Sequence, residues 1–134
     1  MYPCPQCSVN PSSHSFLLYN ETDEHTWFYS SDHYIDRDSD QVINHIRGEL
    51  EQFHSKHPTK KWSWLFDSHD FSIQWNTMMT IVPLIKLVMS YEDTFIKIHI
   101  IRPNPFIYKA IEFCKPFLSD EMMTKITIDQ PTSP

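Results

Sequence analysis

The residues best suited to chemistry are thinly spread along this chain. Cys4-Pro-Gln-Cys7 has the spacing of one half of a zinc site, with His14, His25 and His33 downstream. Zinc requires four soft or borderline ligands in tetrahedral geometry, and a single Cys-x-x-Cys supplies two of them. The competing reading is a pair of reduced thiols on a loose N-terminus. We expect no cofactor and no metal; if a metal is held, it is zinc on Cys4, Cys7, His14 and His25. The eight histidines are scattered, and no His-Glu-x-x-His occurs. His54 and His57 are three apart, but Pro58 interrupts the helix they would share. His69, between Asp67 and Asp70, sits where a strand ends and α/β sheets place ligands. The plainer role for those carboxylates is bracing the turn. No Ser, Cys or Lys has a base beside it in sequence, so we expect no catalytic residues and no enzyme.

These residues need elements to position them. The chain has 134 residues with 40% hydrophobic and 14% aromatic content, suited to one globular domain over 1–134. Its net charge of −6 and lack of a basic stripe argue against a nucleic-acid partner. The single glycine, Gly48, excludes the glycine-rich phosphate loops of P-loop and Rossmann proteins. Three cysteines do not make a disulfide framework. The Met-Tyr-Pro-Cys start lacks a signal-peptide pattern, and the most apolar window, Met78 to Met89, is too short to span a bilayer. We therefore expect a soluble cytoplasmic protein.

Residues 1–14 read as an irregular, Cys-containing N-terminus. Residues 15–39 read as a hairpin and loop, from SFLLYN, a polar turn and HTWFYS. An α/β core follows over 40–129. Val42, Ile43, Ile46, Leu50 and Phe53 recur at helical spacing until Pro58. Trp62, Trp64 and Phe66 alternate as in a strand. Phe71 to Tyr91 reads as a long helix with Met78, Ile81, Val82, Ile85, Val88 and Met89 as its stripe and Pro83 inside. Phe95 to Ile101 is a strand whose alternation groups Ile96, Ile98 and Ile100 on one face. Asn104 and Pro105 start a helix over 104–118 that is apolar around much of its circumference. Ser119 caps a short helix, and KITID is a last strand. Strands alternating with helices predict an α/β fold: a small mixed sheet, parallel at its centre, with helices packed on it.

The stretch Trp62 to Ile128 resembles the CRAL-TRIO, or Sec14-like, lipid-binding domain. The resemblance rests on "WSWLFDSHDFS", the long helix after it, and "YEDTFIKIHIIRPNPFIYKAIEFCKPFLSDEMMTKITI". Tyr91, Ile100-Ile101, Pro103, Phe106, Lys115-Pro116-Phe117-Leu118 and Lys125-Ile126 stand where the family has its own motifs. The resemblance implies a pocket between the sheet and helix 104–118, with that helix as a mobile gate and a hydrophobic molecule or phospholipid as ligand. It also places Asp93 and Lys125 where inositol-lipid binders of the family hold a headgroup, and Ser72 at a polar position near the long helix's start. Met122 departs from the hydroxyl residue of those binders. Arg102 departs from the Asn common in the family before its proline. The family's N-terminal helical bundle and its segments after the last matched strand have no counterpart, as in a minimal or truncated member.

The expected function is thus binding of a hydrophobic or lipid ligand under helix 104–118, as a lipid carrier or sensor with transient membrane contact. Phe66, Ile98, Ile100, Phe106, Ile107 and Phe113 are expected to line the site, with Ser72, Asp93 and Lys125 as its polar contacts. The alternative is a protein-interaction module on the same scaffold without a pocket.

Overall fold

A computed structural model describes residues 17–31, 39–69 and 75–129. Two strands, β1 (Leu17–Glu21) and β2 (His25–Ser31), form an antiparallel hairpin. Its polar turn closes on itself: the Thr22 hydroxyl accepts from the His25 N–H at 3.1 Å, and the Thr22 N–H donates to the His25 carbonyl at 2.8 Å. There follow α1 (Ser39–Lys56), β3 (Lys61–Asp67), α2 (Trp75–Met89), β4 (Phe95–Ile101), α3 (Pro105–Cys114), a 3₁₀ turn (Lys115–Phe117), α4 (Asp120–Thr124) and β5 (Ile126–Ile128). The expected α/β class, the mixed sheet with parallel centre and the N-terminal hairpin are all present.

The five strands lie in chain order, β1-β2-β3-β4-β5, and every pair after the hairpin is parallel. A parallel sheet that advances in one direction through right-handed crossovers collects its helices on one face. The side chains agree. Pairing aligns Thr26, Phe28 and Ser30 with Trp62, Trp64 and Phe66, and continues through Ile98 and Ile100 to Ile126 and Ile128. This face belongs to a single buried cluster with Ile46, Leu50 and Phe53 of α1, Leu84, Leu87 and Val88 of α2, Ile107 and Ala110 of α3, and Met122 of α4. Each large side chain fully buried there contributes about 1.5–3 kcal/mol.

Simple alternation fails in β4. The register slips between Trp62 and Trp64, so Phe95 pairs with Trp62 and Ile98 with Trp64, three residues against two. The extra residue turns Phe95 inward at 3% exposure and leaves Ile96 out at 42%. Ile96 therefore does not share the face of Ile98 and Ile100, contrary to the expected pattern.

Helix ends follow the sequence. Lys56 closes α1 two residues before Pro58. The Asn104 side chain caps α3, accepting from the N–H of Phe106 at 2.9 Å and Ile107 at 3.3 Å. Ser119 caps α4 through the Met122 N–H at 3.1 Å. α2 runs on through Pro83, which is exposed. The helix expected over 104–118 changes to a 3₁₀ turn at Lys115, where Pro116 removes a backbone donor. No helix among the described residues is long and apolar enough to cross a membrane.

Candidate functional site

The C-terminal ends of β3 and β4 carry a knot of polar groups just ahead of α3. Asp67, the last residue of β3, is 95% buried and receives the Arg102 guanidinium through two bonds, Nε to Oδ1 at 3.0 Å and a closer one from Nη2 to Oδ2. The Tyr29 hydroxyl donates to the same carboxylate at 3.3 Å, and the His69 N–H donates at 3.1 Å. Burial pushes the Asp67 carboxyl up, but the bonds from Arg102 and the His69 N–H, with the guanidinium charge, outweigh it and hold the pKa below the usual value. The braced turn expected of Asp67 is thus found.

Arg102 pays a conformational cost to be there. Its φ of 49° is the one positive φ among the described residues. A residue with a Cβ in that region costs roughly 1–2 kcal/mol. It stands between an extended strand and two prolines, and this reversal points the chain into α3. Asn104 secures the same junction: its amide donates to the carbonyls of Ser68 at 3.0 Å and His69 at 3.2 Å, while its oxygen caps the helix. The Ser68 hydroxyl reaches back to the carbonyls of Ile101 at 3.1 Å and Arg102 at 3.2 Å. Arg102 and Asn104 stand out in the sequence; Tyr29 and Ser68 do not, since nothing in the local pattern joins β2 to the end of β4.

α3 has two apolar sides. Ile107, Ala110 and Cys114 are buried toward the sheet. Burial raises the Cys114 thiol to about 11, so it stays protonated and inert at neutral pH. Phe106, Phe113 and, on the 3₁₀ turn, Phe117 are 42–45% exposed, with the Phe113 and Phe117 rings 5.9 Å apart. The residues expected to line a ligand site therefore divide. Phe66, Ile98, Ile100 and Ile107 come together in or against the buried cluster. Phe106 and Phe113 are turned to solvent.

The expected polar contacts lie at the opposite end of the strands. The Asp93 side chain is exposed, and its carbonyl accepts from the Lys61 ammonium at 3.0 Å. Lys125 is mostly buried; its ammonium donates to the Glu92 carbonyl at 3.2 Å, lies 3.7 Å from Glu121 and sits over the Phe95 ring. Beside them, His54 stacks on Tyr91 with centroids 4.1 Å apart. Its Nδ1 lies 2.7 Å from the Leu50 carbonyl and its Nε2 lies 2.9 Å from the Thr94 hydroxyl, which also accepts from Trp62 Nε1 at 3.1 Å. Burial lowers the His54 pKa despite the carbonyl bond, favouring the neutral ring. Ser72 lies outside the described residues.

Of the zinc candidates, Cys4, Cys7 and His14 also lie outside the described residues. The His25 Nε2 is 2.7 Å from the Ser63 hydroxyl. Among the described residues no group of three His, Cys, Asp or Glu side chains is placed to hold a metal. His99 bonds Asp129 at 2.6 Å on the sheet face away from the helices, partly exposed rather than interior. An open hollow of about 380 Å³ lies between the hairpin turn and the start of β3, lined by Asp23, Glu24, His57, Thr59 and Lys60. Its lining is charged, unlike an acyl-binding site.

Comparison with known proteins gives two findings. The profile of the CRAL/TRIO domain matches residues 11–133. The fold is similar to the crystal structure of Sfh5, with a TM-score of 0.67 at 10% identity, over 92% of this chain. The chain spans 55% of the length of that structure. No curated protein matches significantly.

Proposed function

Because the chain belongs to the CRAL/TRIO domain family, whose members bind lipophilic molecules such as phospholipids and are in general not enzymes, we propose that it binds a hydrophobic or lipid ligand between the apolar sheet face and α3. The observation that carries this reading is the two-sided apolar character of α3. One stripe (Ile107, Ala110, Cys114) meets the sheet, and Phe106, Phe113 and Phe117 face outward. A helix packed for good needs only the first stripe. A helix that swings away to admit an acyl chain needs apolar surface to meet a bilayer as well. The driving force is burial of the acyl groups against Phe66, Ile98, Ile100 and Ile107. The protein would serve as a cytoplasmic carrier or sensor touching membranes transiently.

Ser72, Asp93 and Lys125 are proposed as headgroup contacts, and Lys125 must leave the Glu92 carbonyl to act as one. No inositol specificity is proposed, because Met122 offers no hydroxyl. One observation favours the second reading, a protein-interaction module: Ile107 and Ala110 already share a buried cluster with Phe66 and Ile100. Native mass spectrometry of protein purified without detergent tests the choice. A bound lipid mass, and uptake of fluorescent phospholipid from vesicles after delipidation, are expected. An apoprotein mass with no uptake leaves the interaction module.

A further inference from the structure

We infer that the Arg102–Asp67 ion pair is a clasp that holds α3 closed on the sheet, and that releasing it frees α3 locally while the sheet stays folded. Three observations meet at this point. Arg102 occupies the left-handed region without being glycine, so the junction needs an external hold to stay in that shape. The hold is unequal: the carboxylate is 7% exposed and fixed at the end of a central strand, whereas the guanidinium side chain is 57% exposed and belongs to the connection that moves with α3. A solvated cation is the half that can let go. Finally, the hold on α3 beyond this junction is one-sided: three of its ten residues are buried, and a 3₁₀ turn follows without a side-chain cap. Asn104 keeps the helix start tied to Ser68 and His69, so the released helix pivots about that residue.

The clasp makes Arg102 a positioning residue for ligand entry, and this part rests on the lipid-binding reading above. Hydrogen exchange on the full chain tests the clasp without any lipid. In Asp67→Asn, amides of residues 107–114 should exchange at least about tenfold faster, while those of β3 and β4 keep their protection. Arg102→Gln should do the same and alters only the solvent-facing half of the pair should Asp67→Asn fold poorly. Unchanged exchange in α3 overturns the clasp; so does equal loss of protection in α3 and the sheet, which would make the pair a staple of the whole fold. Fluorescent phospholipid uptake then tests gating. Faster uptake in Arg102→Gln with unchanged capacity supports it. Unchanged uptake beside faster α3 exchange overturns it. Absence of binding in every form overturns the lipid reading, with the exchange result still deciding the clasp.

Discussion

At the N-terminal ends of β3 and β4 the polar network that ties the sheet to α1 is built of neutral groups, Trp62, Thr94 and His54; at the C-terminal ends of the same strands the junction is held by a charged, half-open pair. Trp62 and His54 both bond the Thr94 hydroxyl beside the stacked Tyr91 ring. Asp67, five residues beyond Trp62, and Arg102, eight beyond Thr94, pair across a junction with a positive φ. A neutral network in a dry setting is hard to open, because each group released inside is left unbonded. An ion pair with one solvated member is easier to exchange. The first end fixes the sheet, and the second leaves α3 adjustable.

The largest effect should come from the closed end. Trp62 is fully buried, and Trp62→Ala should cost about 3–5 kcal/mol in denaturant unfolding. A cost near that of Arg102→Ala would erase the contrast. At the open end, Arg102→Ala strands a buried carboxylate and should cost about 1–3 kcal/mol. Arg102→Gly should cost less, since glycine takes the left-handed conformation freely. If Gly and Ala cost the same, the backbone at Arg102 is unstrained.

The smallest effect is a slope in pH. The His54 pKa is lowered in the folded chain from 6.5, so below that pH the unfolded chain takes up a proton that the folded chain resists. Stability should fall as pH drops from 7 toward 5, and His54→Gln should flatten that decline. His25, also lowered by burial and by the Lys97 and Lys60 charges, contributes in the same direction and remains in the variant. An unaltered slope in His54→Gln would remove His54 from the neutral network.

The elements are legible in the sequence; the contrast between the two ends, which rests on pairings between distant residues, is not. Local signals gave the elements: Pro58, Asn104-Pro105 and Ser119 mark helix ends, and alternation marks β3. Two things escaped. The bulge in β4 depends on pairing with β3, so alternation groups Ile96 with Ile98 and Ile100 although it is exposed on the other side. In α2, Leu84 and Leu87 are buried while Val82 and Ile85 of the expected stripe are half-exposed, because a helix apolar nearly all round does not announce which side meets the sheet. The candidate site divided likewise. Residues matched by strand position, Phe66, Ile98 and Ile100, came together. Phe106 and Phe113 rest on the apolarity of α3 and, for Phe106, on the family resemblance, neither of which distinguishes the buried side of α3 from the exposed one.

The order of the strands bears on how the chain reaches this fold. Every strand pairs with the strand before it in sequence, so no pairing waits for a distant segment. Loop closure is then limited to one crossover at a time, which keeps contact order low for a parallel sheet. As the chain leaves the ribosome, the hairpin can form first and each later strand can add to a finished edge. On this route α3 follows β4 and precedes β5, so the strand that completes the sheet adds its edge last.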